Sequence, residues 1–171
     1  MSIIRIAITG PESTGKSVLS GQLARYYGTE WVPEYSRKYL HELGRDYDYD
    51  DILNIAKGQL RREKVLLPGA DRFLFCDSEA IVTKIWCEVK YGKCHDWILK
   101  QIKLNPYDLY LLCDIDLPWE DDPLREHPDK RPYLFSLYQS ELKERKLPFH
   151  IISGLGDSRL REAIKIIDKS F

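Results

Sequence analysis

Apolar residues fall along this chain in short β-branched runs separated by longer stretches in which they recur every three or four positions, and each change of period marks an element. Ile3 to Thr9 is a run of the first kind, closed by Gly10 and Pro11, and it predicts a buried parallel strand at the centre of a sheet. From Lys16 to about Tyr27, Val18, Leu19, Leu23, Ala24 and Tyr26 keep helical spacing, and Gly28 supplies the stop. Trp31-Val32 predicts a brief second strand ending at Glu34, after which helical spacing resumes from Ser36 to Leu43. Beyond a polar loop, Ile52, Leu53, Ile55, Ala56, Leu60, Val65, Leu66 and Leu67 describe a long amphipathic helix that Pro68-Gly69 ends.

The second half repeats the alternation. Arg72 to Cys76 is a third buried run and ends at Asp77; a helix follows from Ala80 to Tyr91, with Ile81, Ile85, Trp86 and Val89 on its apolar face. A short helix from Asp96 to about Lys103 leads to the fourth strand, Leu109 to Cys113. A polar excursion with three prolines runs from Asp114 to Arg131. Pro132 starts a helix through Lys146, Phe149 to Ile152 makes a fifth strand, and a last helix spans Asp157 to about Lys169. Strands alternating with helices require right-handed crossovers and a parallel sheet covered on both faces. The predicted fold is a three-layer α/β sandwich that collects ligands at the carboxyl ends of its strands.

The link between the first strand and first helix changes the picture from architecture to chemistry. Gly10-Pro11-Glu12-Ser13-Thr14-Gly15-Lys16-Ser17 has the spacing of a P-loop: glycine, four residues, glycine, lysine, serine. The glycines allow a tight bend, successive N–H groups turn inward on a triphosphate, and the following helix adds its positive end. Lys16 is then placed for the β- and γ-phosphates and Ser17 for Mg2+.

Composition sets bounds on the rest. With 171 residues, 43% hydrophobic and 31% charged, the chain has the size and balance of one globular domain. A formal net charge of −1 gives no overall basic field for nucleic acid or an acidic membrane surface. Cys76, Cys87, Cys94 and Cys113 contain no CxxC pair, so buried free thiols in a reducing cytosol are expected. No basic-plus-apolar leader is visible and no apolar run approaches the ~18 residues of a span, which adds to a cytoplasmic expectation. His41, His95, His127 and His150 lack metal-ligand spacing.

Polar residues gather where the strands are predicted to end: Glu34 after the second, Asp77 after the third, Asp114 and Asp116 after the fourth. Asp77, closing an apolar strand, has the pattern of a carboxylate that holds Mg2+ or its waters, or that serves with Glu34 as one of two candidates for the general base; the competing reading is that Asp77 or Ser78 caps the next helix. Glu34, followed by Arg37, is a candidate for binding or activating a substrate hydroxyl. The segment at about 117–132 is a candidate mobile lid, with Arg125 and Arg131 placed to neutralise a transferring phosphoryl group. Trp86, Tyr91 and Trp119 are candidates for stacking on a flat or cationic ring.

Together with Glu34-Tyr35-Ser36-Arg37, Asp77-Ser78, Trp86-Cys87, Tyr91-Gly92-Lys93 and Pro118 to Arg125, the cradle resembles the ribosylnicotinamide kinase domain of NadR-type proteins, in the P-loop nucleoside kinase group. The resemblance runs from about Ile3 to Arg161. It implies strand order 2-3-1-4-5 and transfer of the ATP γ-phosphate to the ribose 5′-hydroxyl of nicotinamide riboside. It also implies a nucleotide site at Gly10, Glu12, Ser13, Thr14, Gly15, Lys16, Ser17 and Val18, joined by Arg125 and, in the Gly154 to Arg159 segment, Asp157. Glu34, Tyr35, Arg37, Asp77, Trp86, Tyr91, Trp119 and Asp122 are the implied substrate side, and Ser17 with Asp77 the Mg2+ site. With Met1 two residues before the first strand, the DNA-binding and adenylyltransferase modules of such proteins are not expected in this chain. Two other readings stay open: a kinase for a different nucleoside, and a nucleotide-dependent binding or regulatory module. A GTPase is disfavoured by Cys113-Asp114-Ile115-Asp116 where an Asn-Lys-x-Asp element would stand.

Overall fold

The computed structural model describes residues 2–171. Five strands form one parallel sheet in the order β2-β3-β1-β4-β5: β1 (Ile4–Thr9), β2 (Trp31–Val32), β3 (Phe73–Asp77), β4 (Leu109–Cys113) and β5 (Phe149–Ile152). The helices are α1 (Lys16–Tyr27), α2 (Tyr35–Leu43), α3 (Tyr49–Leu66), α4 (Ala80–Tyr91), α5 (Asp96–Leu104), α6 (Arg131–Glu144) and α7 (Asp157–Ser170), with a 3-10 turn at Leu67–Gly69. Among the described residues, no helix is long and apolar enough to cross a membrane.

The period-two alternation of the strands divides the core. Ile6, Ile8, Phe73, Phe75, Leu109 and Leu111 face α1 and α7, where Leu19, Leu23, Ala163 and Ile167 are buried. Ala7, Leu74, Cys76, Tyr110 and Leu112 face the other way, onto Ile52, Ile81, Ile98 and Leu142 of α3, α4, α5 and α6. The three layers and central β1 are those the apolar pattern predicts.

The differences lie at element ends and on helix faces. The second strand stops at Val32, so Glu34 is the N-cap of α2 rather than a strand end. Asp77 is the last residue of β3. α3 begins three residues before Ile52 because Asp48 and Asp51 form a capping box there, each carboxylate accepting from the other's end of the first turn. Val18, Tyr26 and Val65, which keep helical spacing, are exposed, whereas Gln59 and Glu63 sit on the buried face of α3.

One contact in α3 governs how Glu34 is delivered. A Cβ built on Gly58 would stand 1.9 Å from the Tyr35 ring, so only glycine lets that ring lie across the helix. Tyr35 is also under the Arg62 guanidinium, 5.0 Å from the ring centre. Gly58→Ala is expected to destabilise by about 1–3 kcal/mol through this clash, despite the helix-propensity gain of about 1 kcal/mol. Urea denaturation measures the balance.

Candidate active site

The carboxyl edge of the sheet places the cradle, α2 and the 114–130 connection around one cavity of ≈ 420 Å³. The turn from β1 into α1 needs left-handed backbone at Ser13 and Gly15, with φ 56° and 75°, and φ 136° at Gly10. A Cβ on Gly10 would be 3.0 Å from the Cys113 carbonyl, and one on Gly15 would be 2.9 Å from Leu117 Cδ1. No side chain caps α1 at Gly15, which leaves the positive end of the helix open to an anion. Lys16 Nζ donates to the Pro11 carbonyl at 2.7 Å, a contact a phosphate oxygen can replace.

Parallel register sets the acid beside the cradle: Ile8 of β1 pairs with Asp77 of β3. Ser17 donates its hydroxyl to Asp77 Oδ2, and Asp77 Oδ1 is buried without a hydrogen-bond partner. Burial and then the Glu34 charge raise the Asp77 carboxyl to about 6; Lys16, the Ser17 hydroxyl and the nearby Glu34 amide offset only part of this. The capping alternative for Asp77 and Ser78 is not what the helix uses. Glu79 caps α4, accepting from the Ile81 amide at 2.6 Å and from Thr9 Oγ1 at 2.9 Å. Complete burial holds the Glu79 carboxyl near 7.

Glu34 lines the cavity, and its side chain caps nothing. Beyond it stands an apolar wall of Leu40, Val82, Ile85, Trp86, Val89 and Tyr138. Arg37 is exposed and paired with Asp122 at 2.7 Å, which joins α2 to the 114–130 connection. Trp86 donates its indole N–H to the Tyr47 hydroxyl at 2.9 Å.

The expected site residues thus fall into two groups. Gly10, Glu12, Ser13, Thr14, Gly15, Lys16, Ser17, Val18, Glu34, Arg37, Trp86 and Arg125 line the cavity together. Tyr35, Asp77, Tyr91, Trp119, Asp122, Arg131 and Asp157 are outside its lining. Tyr91 stands edge-on to Tyr49, 5.4 Å between ring centres. Trp119 packs on the arginines instead of the cavity, with Arg125 and Arg131 at 6.0 and 5.7 Å from its ring centre. Arg131 Nη1 donates to the Ser13 and Leu117 carbonyls at 3.1 and 2.8 Å, and Arg125 to the Glu120 carbonyl. Asp157 is exposed in the first turn of α7, while Gly156 and Arg159 line the cavity.

Two residues missing from the expectation hold this geometry. Gln59 accepts the Tyr35 amide at 2.8 Å and donates to the Asp77 carbonyl at 3.2 Å, bridging the two acid-bearing segments. Its signal was a polar residue in register with buried Ile52, Ile55 and Ala56. Buried Arg159 donates to Thr14 and Asp114 carbonyls at 2.9 and 3.0 Å, to Gly154 at 2.9 Å, and to Asp116 Oδ1 at 2.7 Å. It ties the cradle to the ends of β4 and β5; the sequence offers only an arginine inside an amphipathic helix.

A family model described as an AAA domain matches residues 5–159, which include the whole cradle, the β3 acid and Arg159. The chain belongs to the AAA domain family. The chain is 29% identical over 170 residues to the trifunctional NAD biosynthesis/regulator protein NadR of Salmonella typhimurium, covering 95% of this chain and 41% of that protein. The chain therefore spans well under half the length of this curated relative. A crystal structure of NadR protein in complex with NR superposes with a TM-score of 0.80 at 23% identity, over 98% of this chain and 51% of that one. One in complex with NAD and AMP-PNP gives 0.76 at 22%, over 98% and 49%. These structures share the fold of this AAA domain.

The raised Asp77 carboxyl has a measurable cost. A folded-state pKa above the usual 3.8 means the native state binds the proton more tightly, so the contribution of this one group to stability is full below about pH 4 and is lost as pH rises through about 6. Asp77→Asn, in the metal-free protein, is expected to match the native chain near pH 4 and to be more stable by up to about 2 kcal/mol near pH 7.5. Thermal denaturation at the two pH values reads this difference.

Proposed function

We propose that this chain is an ATP- and Mg2+-dependent kinase that phosphorylates the ribose 5′-hydroxyl of nicotinamide riboside, giving nicotinamide mononucleotide. The observation that carries the reading is one continuous cavity lined by a phosphate cradle, by Glu34, and by an apolar wall containing Trp86. A cradle alone supports nucleotide binding; the adjoining wall gives the acceptor a place. Similarity to NadR over 95% of the chain supports nicotinamide riboside over another nucleoside as that acceptor.

The donor set fits Mg2+. Ser17 and Asp77 supply adjacent hard oxygens, Asp77 Oδ1 has no protein partner, and Mg2+ takes its remaining ligands from phosphates and water. Held by Ser17 and Asp77, the ion would supply charge neutralisation at the phosphates.

The chain's own groups divide the remaining work. Lys16 leaves the Pro11 carbonyl for the phosphate oxygens. Glu34, which lines the cavity, accepts and orients the acceptor hydroxyl, while Asp77 stays with Ser17 behind the cradle. The 117–132 segment acts as the lid, exchanging the carbonyl contacts of Arg125 and Arg131 for the phosphoryl group. Trp86 offers a π-face to the cationic pyridinium ring. Acceleration comes from positioning and charge stabilisation, as in phosphoryl transfer generally. The enzyme acts in the cytoplasm, in keeping with its free thiols.

A coupled assay with ATP, Mg2+ and a nucleoside panel tests the reading. Turnover is expected with nicotinamide riboside. Lys16→Ala should abolish it, and Asp77→Asn should reduce kcat by about 100-fold or more, against less than about tenfold for Asp114→Asn. Absence of any phosphorylated nucleoside would overturn the kinase assignment.

A further inference from the structure

Glu12 belongs to the cradle, but its carboxylate is directed at the lid. Oε1 and Oε2 both accept the Glu126 N–H at 3.2 Å, and Oε2 accepts the His127 N–H at 3.1 Å. Two consecutive amides converging on one carboxylate make an anion-binding concavity and charge-assisted hydrogen bonds. The same lid is attached to the next cradle residue. Ser13 Oγ accepts the Glu120 N–H at 2.9 Å, and the Ser13 carbonyl accepts from Arg131 at 3.1 Å. From outside the cavity, the Glu126 side chain is held by the Tyr47 hydroxyl at 2.7 Å and Lys90 at 3.0 Å. The Glu126-His127 segment is thus gripped through its backbone by the nucleotide side and through the Glu126 side chain by Tyr47 and by Lys90 of α4.

A carboxylate inside a phosphate cradle is electrostatically out of place. Like charges ~4 Å apart repel by about 1 kcal/mol even at the dielectric of water, and by more in a closed site. The carboxylate is tolerable there when directed away from the phosphates and engaged by other donors, and the lid amides supply those donors.

We infer that Glu12 is a positioning residue whose carboxylate latches the Glu126-His127 segment onto the cradle and so seats the lid arginines over the phosphate site. The consequence for phosphoryl transfer rests on the kinase reading; the latch itself does not. The latch requires reach first and charge second. Glu12→Gln keeps the length and an accepting oxygen, whereas Glu12→Asp keeps the charge and loses one methylene of reach.

Amide hydrogen exchange resolved at Glu126 and His127, in the nucleotide-free protein, separates the two requirements. Glu12→Asp is expected to speed exchange at both amides by about tenfold and Glu12→Gln by less than about threefold, relative to the native chain. Glu12→Asp should also raise the ratio of ATP hydrolysis without acceptor to phosphoryl transfer several-fold, because a loosened lid admits water, with Glu12→Gln near the native ratio. Native-like exchange in Glu12→Asp, or Gln exchanging as fast as Asp, overturns the latch. If the native chain transfers no phosphate, the kinase reading fails and the exchange rates still decide the role of Glu12.

Discussion

The hydrogen bond from Ser17 to Asp77 is the contact on which the site depends, and the sheet makes it possible. Parallel pairing of β1 with β3 puts Ile8 opposite Asp77, so the acid emerges at the level where β1 breaks into the cradle. A slip of one residue would turn Asp77 to the opposite face of the sheet and bring its neighbour forward. The apolar alternation of both strands locks that register, because each strand buries one set of side chains against α1 and α7 and the other against α3 and α4.

Around that contact the molecule concentrates buried polar groups, each at a cost that packing elsewhere must offset. Asp77 and Glu79 are both held above their ordinary pKa by burial, and Arg159 is buried with its four hydrogen bonds directed at carbonyls and one carboxylate. Such groups fix geometry better than they add stability. Gln59 shows the same economy, since a single amide sets the spacing between the segments that carry Glu34 and Asp77.

The architecture was legible because period and punctuation are local properties. Gly10, Gly28, Gly44, Gly92 and the prolines mark element ends, and the P-loop motif names its own context. Helix faces were less legible: Val18, Tyr26 and Val65 keep apolar spacing yet are exposed, because spacing alone does not say which side meets the sheet. The cradle, Glu34 and Trp86 were found from motif and position and do line one cavity. What could not be read is pairing between distant segments. Gln59 reaches Tyr35 and Asp77, Arg159 reaches Thr14, and Trp119 rests beside arginines rather than in the cavity. None of these follows from the spacing of residues along the chain.

Arg159 makes the cradle dependent on the far end of the chain. Its bond to the Thr14 carbonyl joins residues 145 apart in sequence. A contact of that separation belongs to the whole domain rather than to the loop. The motif from Gly10 to Ser17 is therefore local as text but not as a site: a fragment ending before α7 would carry every residue of the phosphate cradle without the arginine that ties it to the ends of β4 and β5.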